Sequence, residues 1–138
     1  MVTTQTHEVS TTGQGDARDL TTIVAKAVAG STLTTGVATI FVVGSTAGVT
    51  TLEFESGVVQ DLDRALQRLA PREGEYQHHL RWGDDNGSSH VRAALIGPSV
   101  AIPFINKELM LGTWQQIALV ELDTQPRRRQ IVIQLVGE

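Results

Sequence analysis

Residues 36–43 read Gly-Val-Ala-Thr-Ile-Phe-Val-Val, eight positions without a charge. A run so dense in β-branched and apolar residues predicts a strand in the middle of a sheet, paired on both edges. The rest of the chain must then supply the neighbouring strands and the helices that cover them.

The flanking segments can be read in those terms. Residues 5–11, rich in Thr and Val, predict a first strand with His7 facing water. Leu20, Ile23, Val24, Ala27 and Val28 recur at helical spacing and predict a helix over 17–29. Asp16 is placed to cap its start, and Gly30 to end it in the left-handed conformation. The preceding Gly13-Gln14-Gly15-Asp16 resembles the opening of a dinucleotide fingerprint. Arg18 stands at the third glycine position, so a simple turn is the better reading.

Residues 49–54 predict another strand, with Glu53 near its end. Ser56 is placed to cap a helix whose buried stripe is Val58, Leu62, Ala65, Leu66 and Leu69, stopped by Pro71. Ser88 or Ser89 caps a short helix over 89–96, ended by Gly97. Strands follow over 99–104, 113–123 and 129–136, joined by turns at 105–108 and 124–127. Helices set among short strands with hairpin-sized turns predict an α+β sandwich of largely antiparallel sheet. It has two main helices and one short helix, in one domain over 1–138.

Residues 71–87 have no clear apolar period and read as a long loop, a length that is usually functional inside a compact domain. Three of the four histidines, His78, His79 and His90, fall between Gly74 and Arg92, with Asp84, Asp85, Asn86, Ser88 and Ser89. Imidazole suits zinc and other divalent metals. Adjacent side chains of an extended segment point to opposite faces, so His78 pairs with His90, and His79 is left for a neighbouring subunit. A third ligand is expected from Asp84, Asp85 or Glu53.

A helix beginning at Ser88 or Ser89 also favours an anion, because its first amides are free. Arg92 offers a phosphate-binding fork. The hydroxyls of Ser45, Thr46 and Thr50 are further donors. Trp114 reads as core or subunit interface, and Arg127 to Arg129 as a solvated turn.

Composition narrows the function. A net charge of −4 without a basic patch argues against nucleic acid. No cysteine is present, which rules out disulfides and thiolate metal sites. No apolar run reaches the roughly 18 residues of a membrane span. The polar N-terminus lacks the apolar core of a signal peptide, so a cytoplasmic protein is expected.

Several blocks then resemble the YjbQ family. They are Tyr76-Gln77-His78, Asn86, Ser89-His90-Val91-Arg92-Ala93, Leu95-Ile96-Gly97-Pro98-Ser99, Leu111-Gly112-Thr113-Trp114-Gln115-Gln116-Ile117, Arg128-Arg129 and Val136-Gly137-Glu138. The resemblance is good over about 35–138. It implies a small α+β homotrimer whose histidine cluster binds a divalent metal such as zinc, or a phosphate-like anion. The family is often labelled secondary thiamine-phosphate synthase. That activity joins a pyrimidine diphosphate to a thiazole phosphate and releases pyrophosphate.

On this reading His78, His90 and Arg92 are catalytic. Ser45, Thr46, Asn86, Ser89, Thr113 and Gln115 bind substrate, and His78, His90 and Glu53 hold the metal. Two positions depart from the family pattern. Gly44-Ser45-Thr46-Ala47 stands where many members carry His-Thr-Ser-Ala, and His78-His79 where many carry His-Asp. The alternative is a non-catalytic trimer that holds a metal or a phosphorylated metabolite. Residues 39–43, 118–122 and 131–136 read as apolar on both strand faces, which adds a reason to expect a subunit interface.

Overall fold

The computed structural model describes residues 1–138. In chain order its elements are β1 (Val2–Ser10), β2 (Ala17–Asp19), α1 (Thr21–Gly30), β3 (Thr35–Val42), β4 (Ala47–Leu52) and α2 (Ser56–Leu69). There follow α3 (Gln77–Trp82), α4 (Gly87–Ile96), β5 (Ser99–Ile105), β6 (Glu108–Leu109), β7 (Gln116–Glu121) and β8 (Arg128–Gly137). A five-stranded sheet runs β1-β8-β3-β5-β6 and a three-stranded sheet runs β2-β7-β4. Every pairing is antiparallel. The fold is α+β, as expected, with four helices rather than three.

The apolar run lies in the interior of the larger sheet. β3 pairs with β8 on one edge and β5 on the other. Gly36 and Gly137 face each other in that ladder. A Cβ at either would collide with the other strand's backbone, so only glycine lets them approach this closely. Ala38, Ile40 and Val42 point inward with Ile131, Ile133 and Leu135 of β8 and Ile102 and Phe104 of β5. The main core is closed by Ile117 and Leu119 of β7 and by Val24, Ala27 and Val28 of α1. A smaller core lies on the far side of β7, where Val120 and Leu122 meet Leu66 of α2 and Ala93 of α4. The molecule is therefore layered as large sheet, small sheet, then α2 and α4.

β7 alone meets the expectation of a strand apolar on both faces, because it is the strand between two cores. β3 and β8 alternate instead. Their outer residues Val37, Phe41 and Val136, with Val2 of β1 and Ile105 of β5, form an exposed apolar row on the large sheet.

Local boundaries moved for identifiable reasons. Residues 17–19, read as helix, pair with β7 in register Ala17↔Val120. α1 starts only at Thr21, whose amide donates to Asp19 Oδ1 at 2.9 Å. Asp16 instead accepts from Thr12 N and Arg18. Glu55, not Ser56, caps α2, accepting from Gly57 N and Val58 N at 2.7 and 2.9 Å. Those amide bonds, Gly57 first, hold the Glu55 carboxyl below its ordinary value. The expected loop over 71–87 contains α3. Trp114 lies before β7 in a turn and is 74% exposed.

Candidate functional site

The site is built on α3 and α4. Tyr76 anchors the entry to α3: its hydroxyl donates to Pro71 O at 2.6 Å and its ring meets His79 edge-on at 5.4 Å. Gly83, at φ +68°, ends α3 in the left-handed conformation and turns the chain toward α4.

Because residues 77–82 are helical rather than extended, His78 and His79 diverge by a helical step and take different partners. His79 Nε2 accepts from Gly87 N, the first amide of α4, at 3.3 Å. The His78 ring lies against His90, centroids 4.6 Å apart and planes tilted by 39°. Its Nδ1 is sealed from solvent and sits 3.2 Å from Asp84 Oδ1, outside hydrogen-bonding geometry.

The N-terminus of α4 is unusually short of partners. Asn86 occupies the N-cap position but gives no side-chain cap. Ser88 and Ser89 are fully buried, and neither hydroxyl has a hydrogen-bond partner. Their amides have no acceptor within the chain. Buried hydroxyls are nearly always bonded, and leaving one bare costs roughly 1–3 kcal/mol. Two together at a helix start leave donors of the kind that suit an anion.

His90 also lines a groove of about 260 Å³ with Gly44, Ser45, Ala47, Ala93 and Pro98. His79 faces a separate, larger hollow beside Tyr76 and Leu80.

The other residues singled out from sequence lie elsewhere or are already engaged. Asn86 donates to Asp123 Oδ2 and accepts from Thr124 N, so it positions α4. Thr46 is buried, donates to Asp123 and accepts from Arg129. Arg92, expected as a phosphate fork, points inward and is 1% exposed. Its Nε donates to Ala70 O at 2.9 Å, one terminal nitrogen reaches Gln67 Oε1, and the other lies 3.6 Å from Asp63. Arg92 thus staples α4 to the end of α2. Burial lowers the basicity of this guanidinium, with Asp63 acting in the opposite direction.

Thr113 and Gln115 lie in the turn before β7, where Gln115 donates to Thr51 on β4. Glu53 is exposed past the end of β4. No three His, Asp or Glu side chains converge as a metal-binding group. The donor set within one chain therefore does not fit the three-ligand metal expected from His78, His90 and Glu53.

A buried polar network went unforeseen. Glu121, fully buried on β7, takes Arg129 Nε and one terminal nitrogen on its two oxygens. Asp123 accepts from Thr46, Asn86, Arg127 and Gln125 N. The signal for it is in the sequence: two carboxylates interrupt an apolar stretch and three arginines follow within eight residues, of which Arg127 and Arg129 join the network.

Comparison with known proteins places this arrangement among relatives. A family model described as UPF0047 protein YjbQ-like matches residues 5–138. A UPF0047 protein of Methanothermobacter thermautotrophicus is 34% identical over 137 residues, covering 99% of this chain and 94% of that protein. One from Mycobacterium tuberculosis is 38% identical over 102 residues, 73% of this chain and 75% of its own. Among solved structures, a YbjQ-like protein of unknown function from Sulfolobus solfataricus superposes with a TM-score of 0.89 at 29% identity over the whole of both chains. A hypothetical protein from Aeropyrum pernix does so at 0.89 and 30% identity, covering 99% of each. With α3, α4 and all of the two sheets but the first residues of β1 inside the matched span, the chain belongs to the YjbQ-like UPF0047 family.

Proposed function

We propose that this chain binds a phosphorylated small molecule at the start of α4. One observation carries the reading: two sealed, unpartnered hydroxyls, Ser88 and Ser89, stand at a helix N-terminus beside the His78–His90 pair. Phosphate oxygens would accept from those hydroxyls and from the free amides of the first turn. The histidines would lend or take a proton at the bound group.

In the catalytic form of this reading, the bound molecule is a pyrimidine diphosphate. A carbon–nitrogen bond to the thiazole phosphate forms as the carbon–oxygen bond to diphosphate breaks. Pyrophosphate leaves with its charge held by α4 and the histidines. The non-catalytic form holds the same anion without turnover. The inward turn of Arg92 favours the second form, because it removes one expected charge from the leaving group. A metal joins either form only if another subunit supplies a third ligand to His78 and His90. The exposed apolar row of Val37, Phe41 and Val136 supports a homotrimeric assembly.

Calorimetric titration with inorganic phosphate tests the binding. Saturable uptake that is lost in a His78→Ala, Ser89→Ala variant supports it, and no uptake overturns it. Incubation with both substrates then separates the forms, since thiamine phosphate accumulates only in the catalytic one. Metal analysis of protein purified without chelator tests the shared ion.

A further inference from the structure

We infer that Arg129 is a ligand-binding residue: its free Nη1, reached past Gly44, takes an anionic group lying in the groove between Gly44 and α4. This deepens the proposed function and rests on it for the identity of the anion as a phosphate.

Arg129 is 6% exposed on β8. Its Nε and Nη2 bind the two oxygens of Glu121, and Nη2 also donates to Thr46 O at 3.0 Å and Thr46 Oγ1 at 2.8 Å. Nη1 makes no hydrogen bond, yet it is not among the polar atoms sealed from solvent. The fork is therefore fixed on one side and open on the other.

What lies over the open side is Gly44. A Cβ there would stand 2.9 Å from Nη1, and Gly44 has φ +135°, a conformation that suits glycine. The same glycine, with the exposed Ser45, lines the groove to which His90 also contributes. The absent side chain leaves an approach from the groove to a guanidinium held rigidly from behind.

The charge balance is favourable. Glu121 accepts from five donors: Arg129 twice, the Thr11 hydroxyl at 2.6 Å, and the amides of Leu122 and Asp123 at 3.0 Å each. Its negative charge is spread over that set rather than concentrated on Arg129. Asp123 is likewise engaged by Arg127, Thr46, Asn86 and Gln125. A guanidinium nitrogen open to the groove and without an acceptor in the chain then favours an incoming anion.

The experiment is a titration of isotopically labelled full-length protein with inorganic phosphate, following arginine guanidinium and histidine ring signals by NMR. Arg129 signals are expected to move saturably with the same midpoint as those of His90. Gly44→Ala, which places a methyl against Nη1, is expected to weaken phosphate about tenfold, the loss of one charge-assisted hydrogen bond. Movement of His90 with Arg129 unmoved overturns the inference and leaves the proposed α4 site standing. Movement of neither overturns both. A folded Gly44→Ala protein that binds as tightly as the parent also overturns it. If that variant does not fold, the titration of the parent protein decides alone.

Discussion

Asn86 donates its side-chain amide to Asp123 Oδ2 at 3.3 Å, across the boundary between α4 and the end of β7. A helix N-cap residue would ordinarily turn its oxygen onto its own first turn. Here that oxygen accepts from Thr124 N instead. The helix that carries His90 is thereby fixed to the sheet, and the amides of Ser88 and Ser89 are left free.

Asn86→Ala is expected to lower stability by about 1–2 kcal/mol, the cost of two lost hydrogen bonds. Amide exchange at 87–90 should rise more than elsewhere. Urea unfolding and hydrogen exchange measure the two parts, and uniform exchange would show that Asn86 does not hold α4.

Asp123 makes part of the stability dependent on pH. Burial alone would raise its carboxyl. The Gln125 amide, the Thr46 hydroxyl, the Asn86 amide and the Arg127 guanidinium together outweigh burial and hold it below its ordinary value. The unfolded chain then binds a proton more readily than the folded one. The contribution is fully present above the unfolded value, roughly 3.9, and is lost as pH falls through the lower folded value. Asp123→Asn should be less stable than the parent at pH 7 and show a shallower loss in acid. Parallel melts from pH 7 to pH 3 would reveal equal slopes if Asp123 is uninvolved.

Ser88→Ala and Ser89→Ala should have opposite effects on stability and binding. Removing a buried hydroxyl that has no partner is expected to leave the ligand-free protein as stable as before, or up to about 1 kcal/mol more so. Phosphate stabilisation should shrink in the same variants. Melting with and without phosphate reads both signs. A serine variant less stable in the absence of phosphate would mean the hydroxyl serves the fold.

Arg92→Met should cost about 3 kcal/mol, in the range for breaking a buried polar staple. It leaves the Ala70 carbonyl and Gln67 without their donor. Phosphate affinity of the folded variant should stay within about twofold, because the guanidinium faces α2 and not the groove. A large loss of affinity at unchanged stability would reverse that assignment.

Phe41→Asp should dissociate the proposed trimer. Phe41 is 40% exposed on the outer face of the large sheet, so its replacement spares the core. Each apolar side chain buried in an interface contributes roughly 1.5–3 kcal/mol, and a charge would reverse that locally. Sedimentation equilibrium at micromolar concentration would show a single lighter species. A parent protein that already sediments as a monomer removes the proposal.

The fold was legible in sequence wherever periodicity decides. The stripe Val58, Leu62, Ala65, Leu66 and Leu69 and the run 36–43 each led to the right element, although Leu69 at the end of α2 is 71% exposed rather than buried. Periodicity failed at 17–19, where Ala17 and its neighbours are recruited to the edge of β7, a tertiary pairing that overrides a local helical pattern. It failed again at 77–82, six residues whose helix is fixed by Tyr76 and Gly83 rather than by an apolar stripe. The site was legible as a cluster of residue types but not as directions. Nothing local in Arg92 tells that it points to Ala70, and nothing local in Thr46 tells that it meets Asp123 and Arg129 from 77 and 83 residues away.

The position of β8 has a kinetic consequence. The last strand of the chain is inserted between the first and the third, with Val2 opposite Val136 and Val37 opposite the same residue on the other side. Until residues 128–137 have left the ribosome, β1 has no partner and β3 lacks one edge. Such long sequence separations raise the contact order and slow folding. The nascent chain therefore carries two open strand edges through most of its synthesis, and these are the surfaces a chaperone would be expected to cover.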